Sequence, residues 1–333
     1  MTAVLDISDL QVTFPTMEGR VAAVRGVDLT KDAGRILGVV GESGSGKTVT
    51  MLATLGLLPA SAEVTGSVRY KGRELLGLAP KELRKVRGSE IAMIFQDPRT
   101  SLNPVHTIGH QIVEGIRIHH PEVHRKEAAK RAVELLALVG IPQPDKRARD
   151  YPHQFSGGMC QRAMIAMAVA NDPDVLVADE PTTALDVTIQ AQILDLMLEL
   201  KEKLGAAIVM ITHDLGVIAE TAQRVIVMYA GRKVEEASVE ELFARPAHPY
   251  TRGLMRAIPR LDLDAEEAGR RARLAEIPGI VPVPTKAIPG CAFASRCAFA
   301  SELCAAKAPP LFEQGSGHVA ACWHTDRVLE AAA

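Results

Sequence analysis

Three short, continuously apolar runs recur along the chain, and each gives way abruptly to polar residues. Ile36–Val40 (ILGVV) ends in a glycine- and serine-rich turn, residues 175–178 (VLVA) end in Asp179 and Glu180, and residues 207–211 (AIVMI) end in Thr212 and His213. Unbroken apolarity rich in β-branched residues predicts strands buried on both faces of a parallel sheet. Residues 48–58, behind the first run, read as a helix, so a βαβ unit opens here. In an open parallel sheet a ligand lies outside the carboxyl ends of the strands, so the three polar ends are expected to converge on one site.

Between the first run and the other two the pattern changes. Residues 126–140 (KEAAKRAVELLALVG) are helical by composition and apolar spacing, and residues 99–154 hold no strong strand run. This predicts a helical insertion into an α/β domain. Beyond about residue 240, Pro246, Pro249 and Pro259 precede an Ala/Glu/Arg-rich stretch, and Pro278, Pro282, Pro284 and Pro289 then break any regular element. A domain boundary is expected near Ser238.

Composition narrows the function. The chain of 333 residues carries 38 Lys and Arg against 40 Asp and Glu, a net charge of −2, without the basic excess of a protein that lives by phosphate-backbone contacts. No nucleic-acid partner is therefore expected. With 47% hydrophobic and only 4% aromatic residues the core must be aliphatic, and the length suggests about two domains. No run approaches the roughly 20 apolar residues of a membrane-spanning helix. Asp6 and Asp9 stand where a secretory signal would be basic and then apolar, so a reducing compartment is expected. Cys160 stands alone, while Cys291, Cys297, Cys304 and Cys322 cluster near the end, which in a cytosolic protein points to metal more than to disulfides.

Residues 41–48, GESGSGKT, fit G-x-x-x-x-G-K-[ST], the phosphate-cradling P-loop, between a strand and a helix as that motif requires. Gly41, Gly44 and Gly46, with Ser43 and Ser45, let successive backbone N–H groups face β- and γ-phosphates. Lys47 supplies a point charge there, and the Thr48 hydroxyl can ligate Mg²⁺. Asp179 is placed to hold Mg²⁺ through water and Glu180 to orient the attacking water, since phosphoryl transfer needs positioning and electrostatics above all. His213, at the third strand's end, suits a hydrogen bond to a γ-phosphate. Ser156, Gly157 and Gly158, in FSGG before the helical residues 163–170, form a second anion-binding helix start. One chain cannot easily bring two such ends to one γ-phosphate, so the second is expected to serve a partner's nucleotide.

These motifs resemble those of the ATP-binding cassette (ABC) ATPases over residues 1–240. Phe14 falls where that family stacks an aromatic on adenine, and GESGSGKT matches its Walker A. Gln96 in MIFQDP matches its Q-loop, where it would also reach Mg²⁺. FSGGM resembles its signature, with Met159 in place of Gln and Cys160 beside it, read as a small buried hydrophobe. VLVADEP matches Walker B, Ala184-Leu185-Asp186 the D-loop, and His213 the switch histidine. The resemblance implies a P-loop α/β core, RecA-like parallel sheet plus antiparallel β subdomain, with a helical signature subdomain at about 97–160. It also implies a head-to-tail dimer of cassettes that ATP closes and hydrolysis reopens. Glu180 and His213 would be catalytic, and Phe14, the P-loop, Gln96, Ser156–158, Asp179 and Asp186 would bind nucleotide.

Residues 245–259 (RPAHPYTRGLMRAIP), residues 96–104 (QDPRTSLNP) and the cysteine-bearing tail are similar to those of dipeptide and oligopeptide importer ATPases. The similarity implies a C-terminal extension over 241–333 and work at the cytoplasmic face of the membrane. The implied partners are two permeases, a second cassette subunit (different, or else a second copy) and an extracytoplasmic peptide-binding protein. Nickel or glutathione import, and a non-transport cassette ATPase, are the alternatives. The tail spacing C-x5-C-x6-C-x17-C is wider than that of most zinc ribbons, yet four thiolates in a module short of apolar residues suggest a cross-linking metal. A [4Fe-4S] cluster, which relatives with this tail are understood to bind, is the first expectation, zinc the second, and reduced or disulfide-paired thiols the third. His318 and His324 lie close enough in sequence to substitute as ligands, but are read as exposed loop residues.

Overall fold

Buried on both faces, the apolar runs do form parallel strands. The structure, a computed structural model, describes residues 3–17, 19–183, 185–257, 277–282, 288–315 and 317–331. In chain order the strands are β1 (Ala3–Thr16), β2 (Gly19–Asp32), β3 (Ile36–Val40), β4 (Glu63–Tyr70), β5 (Arg73–Glu74), β6 (Ile91–Ile94), β7 (Val175–Asp179), β8 (Ala207–Thr212), β9 (Arg224–Tyr229), β10 (Arg232–Ser238), β11 (Phe312–Gly315) and β12 (His318–Ala320). The larger sheet has the order β11-β12-β10-β9-β3-β8-β7-β6, and a four-stranded antiparallel sheet has the order β2-β1-β4-β5. β6, β7, β8, β3 and β9 run parallel, whereas β10, β12 and β11 are antiparallel additions.

Alternate residues of each central strand serve two cores. Leu37 and Val39 of β3 join Val177, Val209 and Ile211 against the antiparallel sheet and Met51 of α1 (Lys47–Thr54). Ile36 and Val40 join Leu176, Ala178, Ile208 and Met210 on the other face. With both faces dry, no polar alternation is left for the sequence to display. Gly38 is the exception in size: a Cβ there would lie 2.7 Å from Ile218 Cδ1, in the helix packed over β3. α1 stops at Thr54, before the expected residue 58, because Gly56 turns the chain at φ 58°.

The insertion is helical as expected. α2 (Pro80–Val86) leads to β6, and then come α3 (Pro98–Ser101), α4 (Ile108–His119), α5 (Arg125–Leu138), α6 (Pro144–Arg147) and α7 (Gly157–Ala168). Leu135 and Leu136 of α5 and Cys160 of α7 are buried in this packing, Cys160 at 2% exposure, as expected for a small hydrophobe. α8 (Val187–Leu204) and α9 (Leu215–Thr221) follow β7 and β8.

The tail is built onto the same sheet. Ser238 ends β10 and caps α10 (Val239–Ala244), and α11 (Pro249–Arg256) follows; yet β12 crosses this expected boundary to pair Glu235 with Ala320 and Glu236 with Val319. Tyr250 and Phe293 enter the main core, so the tail borrows apolar surface in place of making its own. α12 (Glu302–Ala306) and α13 (Thr325–Glu330) complete it. His318 corrects the exposed-loop expectation: it is 3% exposed, and its Nε2 lies 2.8 Å from Oε1 of Glu235, itself fully buried. Burying that carboxylate demands such partners, and Ala247 and His248 add backbone N–H donors. Among the described residues no helix is long and apolar enough to cross a membrane.

Candidate nucleotide site and cysteine cavity

Backbone crowding explains the glycines of residues 41–48. A Cβ on Gly41 would lie 2.3 Å from the Met228 carbonyl oxygen, and one on Gly46 2.7 Å from that of Ala23, and both residues have positive φ. The loop therefore presses on β9 and β2 and turns into α1. Lys47 is 5% exposed, and its Nζ donates to the carbonyl oxygens of Gly41 at 2.7 Å and Glu42 at 3.1 Å. Burial lowers its pKa, while Glu180, Asp179 and Glu42 oppose that shift. The ammonium is thus held inside the loop's own concavity, where a phosphate oxygen can take over from the two carbonyls.

At the ends of the neighbouring strands the polar residues meet. Thr48 Oγ1 donates to Asp179 Oδ1 at 3.0 Å, and Asp179 is 2% exposed with its pKa raised by burial, against the Thr48 hydrogen bond. A hydroxyl beside a desolvated carboxylate is a donor set that fits a hard divalent cation. Glu180 has φ 48°, a left-handed conformation costing on the order of 1 kcal/mol or more in a non-glycine residue. The Glu180 N–H bonded to the Ile211 carbonyl at 2.9 Å holds that turn. The Glu180 carboxylate gathers Gln96 Nε2 at 2.9 Å, Thr183 Oγ1 at 2.9 Å and His213 Nδ1 at 3.3 Å. Four strand ends, β3, β6, β7 and β8, therefore converge, one more than the apolar runs alone indicated. Thr183 was missed by the sequence reading, its only signal being its place three residues after Glu180.

The remaining expected site residues stand apart from this cluster. Phe14 is half-buried in β1, paired in register with Val21. Ser156 caps α7, its Oγ accepting the Met159 N–H at 3.3 Å, and is exposed. Gly158 lies so close to α8 that a Cβ would meet Ile189 Cγ2 at 3.0 Å. Among the described residues no hydrogen bond joins residues 156–158 to the P-loop or to Glu180. Asp186 is exposed and caps α8 by accepting the Ile189 N–H at 3.0 Å; Ala184 lies outside the described residues.

Sequence reading also passed over Glu42, the first variable residue of the P-loop. Its carboxylate takes both terminal nitrogens of Arg296, at 2.7 and 3.0 Å, and its N–H donates to the Tyr250 hydroxyl at 2.7 Å. The tail thus touches the loop directly.

Cys291, Cys297, Cys304 and Cys322 line one small cavity, with His248, Phe293, Trp323 and His324 around it. All four are free thiols. Burial raises the pKa of Cys291 and Cys297 and takes that of Cys322 up to about 11. Backbone N–H groups aim at sulfur, Phe299 at Cys297 and His324 at Cys322, each at 3.3 Å. The side chains nevertheless do not close round a point: among the described residues no three Cys, His, Asp or Glu side chains are grouped so as to hold a metal ion. His324 is partly buried rather than exposed, its Nε2 2.8 Å from Ser301 Oγ.

Residues 24–183 match the model for the ABC transporter family, and residues 234–304 that for the oligopeptide/dipeptide transporter C-terminal region. The chain is 55% identical over 98% of its length to a probable peptide ABC transporter ATP-binding protein of Sinorhizobium fredii, covering 96% of that protein. It is 49% identical to the oligopeptide transport ATP-binding protein OppD of Bacillus subtilis, over 97% of this chain and 89% of the relative. Among solved structures it resembles the dimeric post-hydrolysis ATP-binding cassette MJ0796 bound to ADP and Pi. There the TM-score is 0.64 at 28% identity, over 71% of this chain and 98% of the other.

Proposed function

The chain belongs to the ABC transporter ATP-binding family, and from that premise we propose that it is the ATP-hydrolysing subunit of an importer of di- or oligopeptides. The observation that carries this reading is the joining, in one chain, of the Glu180 cluster to a tail matching the oligopeptide transporter C-terminal region. Two permeases, a second cassette and an extracytoplasmic peptide-binding protein are the partners, and the cytoplasmic face of the membrane is the place of work. Residues 1–240 are the nucleotide-binding domain, with the signature subdomain at about 97–160, and 241–333 the extension.

In this reading the N–H groups of Ser43 to Thr48 cradle the phosphates, Lys47 leaves its two carbonyls for the γ-phosphate, and Phe14 supports adenine. Mg²⁺ would be held by Thr48 directly, by Asp179 through water and beside Gln96; it neutralises charge on the phosphates. Glu180, held by Gln96, Thr183 and His213, accepts a proton from the attacking water as that water bonds to the γ-phosphorus in line and the bond to the β-phosphate oxygen breaks, releasing ADP. His213 then steadies the γ-phosphate. Ser156, Gly157 and Gly158 point outward to serve a partner cassette's ATP, and Asp186 lies at the same dimer face. Co-purification with two permeases, and ATP hydrolysis stimulated by peptide-loaded binding protein in proteoliposomes, are the expected results. Stimulation by nickel or glutathione instead would reassign the substrate, and stable association with ribosomes would overturn transport altogether.

The four cysteines are the ligands of a [4Fe-4S] cluster in this proposal. Gathering in one cavity supports it, as do the N–H groups aimed at sulfur, which stabilise thiolates. A four-iron cube spreads its thiolates over separate corners, whereas zinc draws four sulfurs to about 2.3 Å from one centre. Among the described residues no three of these side chains group round one point, which speaks against a single zinc centre. Anaerobically purified protein should contain about four irons and acid-labile sulfide per chain; one zinc and no sulfide would replace the assignment.

A further inference from the structure

Arg296 lies in the turn between Cys291 and Cys297, and its side chain is 4% exposed and spends every donor it has. Nη1 reaches Glu42 Oε2 at 2.7 Å and the Tyr229 hydroxyl at 3.3 Å, Nη2 reaches Glu42 Oε1 at 3.0 Å and the Ile277 carbonyl at 3.1 Å, and Nε reaches the Pro278 carbonyl at 2.8 Å. A guanidinium has five N–H donors in a fixed fork, so the group has no freedom left in which to drift. The Tyr229 and Phe293 rings close over it at 5.8 and 5.9 Å.

The receiving residue is equally tied. Glu42 gives its N–H to Tyr250 and its carbonyl to Lys47, so the carboxylate, the peptide and the phosphate-binding ammonium form one chain of contacts. A shift of the cysteine turn must carry Arg296 with it, and Arg296 can move only by dragging Glu42 or by losing a bidentate, charge-assisted pair. Moving Glu42 moves the carbonyl on which Lys47 rests and re-aims the N–H groups that follow.

We propose that Arg296 is a positioning residue that sets the P-loop's affinity for ATP through Glu42, and that the state of the cysteine turn tunes that affinity by the same route. This goes beyond ATP hydrolysis to its control by the tail, and it rests on residues 41–48 being the ATP site.

The test is MgATP affinity of the full chain, with steady-state kinetics of the assembled transporter and thermal unfolding of each variant. Arg296→Ala should raise Kd and KM about tenfold with kcat changed less than about twofold, and Arg296→Lys, keeping charge without the fork, should fall between it and the wild type. The double variant with Glu42→Gln should bind ATP no worse than Arg296→Ala alone. Cys297→Ser should weaken ATP binding in the wild-type background and add little on Arg296→Ala. A lowered melting temperature with unchanged Kd, or a loss confined to kcat, would overturn the proposal. If Arg296→Ala does not fold, Glu42→Gln alone decides, by raised or unchanged Kd. Lys47→Ala separates the premise: if ATP affinity survives it, the P-loop assignment fails, whatever Arg296 does.

Discussion

Gln96 donates its side-chain amide to the Glu180 carboxylate at 2.9 Å, joining the end of β6 to the end of β7 across 84 residues of sequence. Two groups assigned to different motifs share one hydrogen bond, so Gln96 helps to fix the orientation of the Glu180 carboxylate. Glu180→Gln keeps the shape and removes the base. ATP binding should persist while turnover in the assembled transporter falls about a hundredfold or more; undiminished phosphate release would refute the role.

His213 meets the same carboxylate from the opposite side at 3.3 Å and is itself largely exposed. An exposed side chain contributes little to stability, so His213→Ala should leave the melting temperature within about 1 °C and lower hydrolysis about tenfold or more. A large loss of stability with normal hydrolysis would make His213 structural.

His318 and Glu235 fasten β12 to β10. Removing the imidazole leaves each oxygen of the buried carboxylate with a single backbone donor, the Ala247 N–H on Oε1 and the His248 N–H on Oε2. His318→Ala should cost about 1–3 kcal/mol by denaturant unfolding. An unchanged midpoint would mean that water replaces the ring without penalty.

Lys31, 2% exposed in β2, has its pKa lowered to about 8 by burial, with Asp32 opposing. Between about 8 and the ordinary lysine value the unfolded chain binds more protons than the folded one, so this group's contribution makes stability rise with pH there. Below that window the folded state carries the full cost of a buried charge. Lys31→Met should therefore stabilise the fold at pH 7 by roughly 1–2 kcal/mol, with the advantage shrinking as pH rises from 8 toward 10. An advantage independent of pH would show that the methionine gains by packing alone.

The P-loop and the polar strand ends were legible because their parts are local. A P-loop is eight consecutive residues, and strands buried on both faces advertise themselves as unbroken apolar runs ending in Asp179, Glu180 or His213. Long-range pairing left no such trace. Nothing in Glu42 foretells Arg296, 254 residues away, and nothing in the stretch RKVEEAS around Glu235 foretells a buried histidine partner. The four thiols were legible as a set, but their grouping in space depends on how the segments holding them pack round Phe293 and His248, which spacing does not encode.

β12 occupies the outer side of β10, and β11, four residues long and ending in Gly315, closes the row. A chain cut near residue 240 would leave the amides and carbonyls of β10 unanswered along that side, a template for joining another copy edge to edge. The tail therefore covers that edge as well as touching the P-loop at Glu42. Its loss is expected to show first as insolubility, before any change in catalysis could be measured.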